Sequence, residues 1–313
     1  MPTWLLLAVG AQIIYAVVAI FDKYIVTSKK ILKPISYAFY ISILSAFSVV
    51  VFLFGWIKLP FLDLQIPSFS NLNFPSLLIL FLSLVSGFAM FQALFYLFKS
   101  LSRADTSDVV PVVGAISAMV TLVLEFLFLD SNFTENTLIG FGLLLIGTLL
   151  VSSLRFKIPV FLMVMTSGSL FAIYYTVIKF IFNLTNFDTG FLYSRFGLAV
   201  AALLMLFLPK TRKAIFENPA KTPKRKRRAS TYVLLNKIFS GIGSLMTLKA
   251  VEFGSVAIVQ ALSGIQFIFL ILFSVIFGRV TPYEFGENVT MKDVMQKVLA
   301  VFVIIFGLFF MFL

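Results

Sequence analysis

The sequence predicts an all-α integral membrane protein with ten transmembrane helices in two inverted five-helix repeats. Composition comes first: 60% of the 313 residues are hydrophobic and 12% are charged. A soluble domain carries about a quarter charged residues and under half apolar ones. At about 20 apolar residues per crossing, this chain holds material for roughly nine or ten spans. Second, the apolar residues form continuous runs without the alternation of a barrel strand, so helices are expected. Third, the two halves resemble each other in order.

The first half is read as Trp4–Phe21, Ile35–Trp56, Leu77–Phe98, Val109–Leu129 and Thr137–Ser153. The second half is read as Pro159–Phe182, Gly190–Leu208, Val233–Leu248, Ser255–Phe277 and Val298–Leu313. Turn and charge signals separate them, among them Leu59-Pro60, Asp130-Ser131-Asn132 and the basic stretch Pro209–Arg228. Residues 1–154 form the expected first repeat and 155–313 the second, with a basic loop at about 209–232. The first span is read as a retained helix, because it is too long for a signal-peptide core.

Lys and Arg gather on one side. Twenty of the 25 lie in the connectors after the odd-numbered spans, which places the 209–232 loop in the cytoplasm and both termini outside. The net charge of +12 thus records topology, and Lys221–Arg228 is read as an anchor beside anionic headgroups, with no nucleic-acid partner.

Internal similarity supports a duplication. Lys99, Val109 and Gly114 recur as Lys249, Val259 and Gly264. Ala16, Lys23 and Ile25 recur as Ala172, Lys179 and Ile181, and Tyr40 matches Tyr193. Five spans per repeat force the copies into opposite orientations, an architecture that puts a site near the midplane between the halves.

Polar residues within apolar helices fall on defined faces. The eighth span puts Asn236, Lys237, Ser240, Gly241, Gly243, Ser244 and Thr247 in one arc. The fourth aligns Pro111, Gly114, Ser117, Thr121 and Glu125, and the ninth aligns Ala257, Gln260, Ser263, Gly264, Phe267 and Ser274. The first offers Gln12, Ala16, Ala19 and Lys23; the sixth offers Gly168, Ala172, Tyr175 and Lys179. Ser83, Ser86 and Gly87 align in the third. Small residues on such faces also serve close helix packing. Three charges sit within spans, Glu125, Arg195 and Lys237, each calling for a partner, an aqueous cavity or a snorkelling position. Lys23, Lys99, Lys179 and Lys249 end spans and read as interfacial anchors.

Several of these segments resemble a known family. Ala93–Pro111, the glycine-spaced Leu138–Leu150, Ala250–Gln266 and Val298–Leu308 look like the EamA-type members of the drug/metabolite transporter superfamily. The resemblance covers nearly the whole chain, and Arg195 matches an arginine often found early in the second helix of a repeat. Leu129-Asp130 departs from the family's Gly-Glu ending, and the family's inward termini oppose the charge pattern here.

The resemblance implies a secondary transporter in the plasma (inner) membrane. It would export a small polar metabolite, amino-acid-like, sugar-linked or drug-like, by alternating access. The expected path residues are Gln12, Ser86, Glu125, Tyr175, Arg195, Lys237, Gln260 and Ser263. Arg195 and Lys237 favour an anionic or zwitterionic solute, and Glu125 is the expected proton-coupling acid. The expected partners are the solute, membrane lipid and at most a second copy in a homodimer. With 0 Cys and 0 His, and neither an acidic cluster nor a Gly-Lys-Ser/Thr loop, no metal, cofactor or catalytic residue is expected. A membrane-embedded enzyme and a non-transporting scaffold or receptor are the competing classes.

Overall fold

A computed structural model describes residues 2–27, 32–59, 64–129, 133–151, 157–216, 223–280 and 291–311. The chain is helical almost throughout. In order it forms α1 (Thr3–Thr27), α2 (Pro34–Leu44), α3 (Leu77–Leu101), α4 (Thr106–Phe128), α5 (Glu135–Val151) and α6 (Ile158–Leu184). There follow α7 (Phe187–Leu204), α8 (Pro209–Phe216), α9 (Pro223–Phe253), α10 (Val256–Ala261), α11 (Ser263–Val280) and α12 (Met291–Met311). A two-residue antiparallel ladder, Lys58–Leu59 with Leu64–Gln65, interrupts the loop before α3.

Local chemistry sets the helix starts. The Ser76 hydroxyl accepts from Ile79 N at 3.3 Å, Asn186 Oδ1 from Thr189 N at 2.8 Å, and the Ser255 hydroxyl from Ile258 N at 3.3 Å. Pro34 occupies the first turn of α2, where its missing N–H costs nothing. After Leu44 the helix tightens into a 3-10 segment, Ser45–Phe54. There the Ser45 and Ser48 hydroxyls donate to the Ser42 and Ser45 carbonyls, competing with the regular ladder.

Among the described residues six helices are long and apolar enough to cross a membrane: 3–27, 34–54, 77–101, 106–128, 158–184 and 187–207. Shorter apolar helices cover Glu135–Leu150, Val256–Leu270 and Val298–Phe310. Their outward faces carry exposed Phe81, Val123, Phe126, Leu162, Phe302 and Phe309, which suits contact with lipid. This is an integral membrane protein.

Several expected boundaries move. The first span continues past Phe21 to Thr27, because the charged residues beyond Phe21 are satisfied inside the protein. The ninth is broken, with a turn at Leu262 between α10 and α11. The expected loop 209–232 contains α8 and the first turns of α9, so the eighth span is the apolar part of a 31-residue helix. Residues 221 and 222 and the side chains of the rest of the basic run lie outside the described set.

Two features recur along the chain. Lys23 Nζ donates to the carbonyls of Leu101 at 2.8 Å and Ala104 at 2.5 Å, at the C-terminal end of α3. Lys179 Nζ donates to Val251 at 2.9 Å, Glu252 at 2.8 Å and Gly254 at 3.3 Å, at the C-terminal end of α9. Both ammonium groups satisfy orphan carbonyls where the helix dipole is negative. The helix pairs α1–α9 and α3–α6 pack closely, as do α5 and α12.

The buried apolar residues form two clusters. One centres on most of α1 and α6 with α10 and α11; the other centres on α2 with the C-terminal half of α3, the start of α4 and the end of α7. Met90, Val110 and Phe171 pack against both, so the boundary between clusters runs through the middle of the molecule.

Candidate functional site

At that boundary lies a central cavity of about 170 Å³. At about 30 Å³ per water it has room for roughly half a dozen water molecules, which suits a small solute. α1 contributes Gln12, Tyr15, Ala19 and Asp22, one helical face at spacings of three and four. α4 contributes Val110, Gly114 and Ser117; α6 contributes Phe171 and Tyr175. Gln260 and Ser263 flank the turn at Leu262, with Gln266 one turn further on and Thr247 from α9. Met90, Leu97 and Leu101 of α3 close the apolar side.

The turn at Leu262 keeps its backbone bonded, its N–H to the Ile258 carbonyl at 3.0 Å and its carbonyl to Ile265 N at 2.9 Å, while shifting the direction of the helix wall. Here the break is adjacent to the polar part of the wall. The Ser117 hydroxyl donates to Gln260 Oε1 at 3.2 Å, and Gln266 Nε2 donates to the Tyr15 carbonyl at 3.0 Å. Gln12 is 4% exposed, and its amide has no hydrogen-bond partner among the described residues. The buried Ser263 Oγ is also unpartnered there. Both groups are available to a solute.

Asp22 forms the charged end of the cavity. Its Oδ1 accepts from the Tyr37 hydroxyl at 2.5 Å and from Asn236 Nδ2 at 2.7 Å, and Asn236 Nδ2 also reaches the Tyr37 oxygen at 2.8 Å. Asp22 is 7% exposed, and no Lys or Arg pairs with it among the described residues. Sequence reasoning missed it because the first span was ended at Phe21. Its i+3 relation to Ala19 and i+7 relation to Tyr15 was the available signal.

Of the eight expected path residues, Gln12, Tyr175, Gln260 and Ser263 line this cavity. The others lie elsewhere. Ser86 is buried in α3 and donates to the Ser83 carbonyl at 2.9 Å. Glu125 accepts from the Ser255 hydroxyl at 3.0 Å and from the backbone N–H groups of Val256 at 3.3 Å and Ala257 at 2.7 Å. It therefore caps the N-terminus of α10, where a carboxylate meets free N–H groups and a positive dipole end.

Arg195 and Lys237 line a second, lateral cavity of about 550 Å³ between α7, α9 and the end of α2 with the 3-10 segment that continues it. Arg195 donates to the Ser244 hydroxyl at 2.7 Å and lies 5.0 Å from the centre of the Phe191 ring. A third, polar hollow of about 380 Å³ sits at the far end, where the loop before α3 docks on α7. There Asp188 accepts from Ser68 N and Asn71 Nδ2, both at 3.0 Å.

Residues 2–153 match the model of the EamA-like transporter family. Its members are membrane transporters of the drug/metabolite type. No curated protein matches the chain significantly. One solved structure, described only as "Crystal structure of protein", shares the fold with a TM-score of 0.65 at 16% identity, over 97% of this chain and 95% of that one. The similarity in architecture therefore extends beyond the EamA-like half.

Proposed function

We propose that this protein is a secondary transporter that moves a small solute by alternating access through the central cavity. Ten spans in two inverted five-helix repeats would form the path, with the apolar part of α9 and the three shorter apolar helices completing the set. The matching caps at Lys23 and Lys179 support that arrangement. The observation that carries the functional reading is the cavity itself. It sits at the seam of two cores, beside a broken helix, with Gln12 and Ser263 offering unpaired polar groups.

Its lining narrows the solute class. Among the described residues that line it Asp22 is the one acid, and Arg195 and Lys237 line the lateral cavity instead. The best fit is a neutral or amine-bearing molecule with one apolar face for Met90, Val110 and Phe171. Export is the direction we favour, following the family resemblance, and the basic connectors support outward termini in a plasma membrane. Asp22, not Glu125, is the coupling acid in this reading. A buried carboxylate without a cation is costly, so a proton or the solute's own charge relieves it at one stage of the cycle.

The test is a thermal-shift screen of neutral and amine solutes, followed by counterflow and pH-driven flux in proteoliposomes. Asp22→Asn should keep counterflow and lose pH-driven accumulation by at least about tenfold, a difference of 1.4 kcal/mol in coupling. Unchanged accumulation would remove Asp22 from the mechanism, and flux unaltered by Gln260→Ala and Gln12→Ala would remove the cavity. Reporter activity fused after Leu313 would check the outward termini.

A further inference from the structure

The lateral cavity calls for its own occupant. Its walls are apolar: Leu44, Phe47 and Val50 on one side, Leu234, Ile238 and Ile242 on the other. Phe47 is 65% exposed and Ile238 53%, so the crevice opens sideways to where the acyl chains lie. At its polar end stand two cations. Arg195 is 5% exposed with its Nε unpartnered, and among the described residues Lys237 is bonded through its carbonyl, which accepts from the Ser240 hydroxyl at 3.1 Å, and not through its ammonium. No acidic side chain lines the crevice among the described residues. Two like charges in a low-dielectric wall repel each other, and each lacks the counter-charge that burial demands.

We propose that the α2–α9 crevice binds an amphipathic anion from the bilayer, its carboxylate or phosphate on Arg195 and Lys237 and its acyl chain along the apolar walls. The planar guanidinium offers a donor fork for a carboxylate or phosphate oxygen, and the ammonium adds a second charge-assisted bond. An inorganic anion would satisfy the charges and leave the apolar walls unused. A neutral lipid would do the opposite. Only the amphipathic anion matches both halves of the site. This inference needs membrane embedding alone and is independent of what the central cavity carries.

The test uses the full chain in phosphatidylcholine nanodiscs with nitroxide-labelled stearate, against nitroxide-labelled phosphatidylcholine as the neutral control. Electron paramagnetic resonance reads the motionally restricted fraction of each. The expected result is a preference for ionised stearate of roughly tenfold, the scale of one charge-assisted bond. Lys237→Gln should reduce that preference. Gly241→Leu keeps both cations and fills the crevice, and a Cβ at Gly241 meets no atom within 4 Å, so this variant should fold and still lose the preference. Equal restriction of the two probes in the unaltered protein would overturn the proposal. So would a preference that survives both variants, or displacement of stearate by millimolar inorganic phosphate alone, which would mark a simple anion site.

Discussion

The α3–α7 seam and the α2–α9 crevice occupy corresponding places in the two proposed repeats, yet one is shut and the other open. In the shut seam Gly87 and Gly197 bring the helices into backbone contact: a Cβ on Gly87 would collide with the Gly197 carbonyl, and one on Gly197 with that of Ser83. At the offset of 150 that pairs Lys99 with Lys249, Gly87 corresponds to Lys237. At the offset of 153 that pairs Tyr40 with Tyr193, Gly197 corresponds to Leu44. A lysine and a leucine cannot approach as two glycines do. The same architecture therefore seals one flank and leaves on the other a lipid-facing crevice with a positive end. Helix seams in lipid are decided by small residues, and here two substitutions between repeats separate packing from binding.

The largest effect that sharpens this contrast is expected from Gly197→Leu. Its side chain would have to displace the α3 backbone, and overpacking of this kind costs about 1–3 kcal/mol or more. Thermal unfolding in detergent should drop by several degrees, or the folded form should be lost. A variant as stable as the parent would mean that the seam is not closed in solution.

Accessibility offers the next test, simplified by the absence of cysteine. A lipophilic maleimide should label Gly241→Cys at least about tenfold faster than Ser83→Cys, because thiol reaction follows exposure. Ser83 is 2% exposed in the seam, while the space around Gly241 is open. Equal rates would erase the distinction between the two flanks.

Glu125→Gln should act through structure. Losing the charge at the start of α10 removes charge-assisted bonds to two N–H groups, a cost of about 1–3 kcal/mol in thermal stability. Coupling in pH-driven flux should persist in the folded fraction. Coupling lost with unchanged stability would return Glu125 to the transport path and displace Asp22.

Much of the fold was legible because length and hydropathy determine membrane helices almost alone. Gln12, Tyr175, Gln260 and Ser263 were found because polar side chains on an apolar helix must face protein or water. The same rule could not tell which cavity a face meets. Arg195 and Lys237 obey it as well as Gln12 does, but they turn into a lateral crevice whose existence depends on the α2–α9 spacing. Glu125 was misleading for a related reason: its partners include the first N–H groups of a helix that begins 131 residues later, and no pattern within α4 announces them. Asp22 was passed over because a hydropathy boundary treats the first charge as the end of a span. Inside the folded protein Tyr37 and Asn236 satisfy that charge, so the helix continues.

The smallest expected effect is the most discriminating, because its sign differs between the flanks. Replacing glycine by alanine in a helix favours folding by up to about 1 kcal/mol when the added methyl meets nothing. At Gly241 nothing lies within 4 Å of a new Cβ, so Gly241→Ala should be neutral or slightly stabilising. At Gly197 the same methyl would occupy the place of the Ser83 carbonyl, and the helices would have to separate. Gly197→Ala should therefore destabilise, though less than Gly197→Leu. The two variants share one chemical change and one propensity gain, so the difference between them isolates the seam. Thermal unfolding of both in the same detergent reads it directly. Shifts of the same sign and size would show that the two flanks are equally spaced, and the crevice would then lose its claim as a binding site.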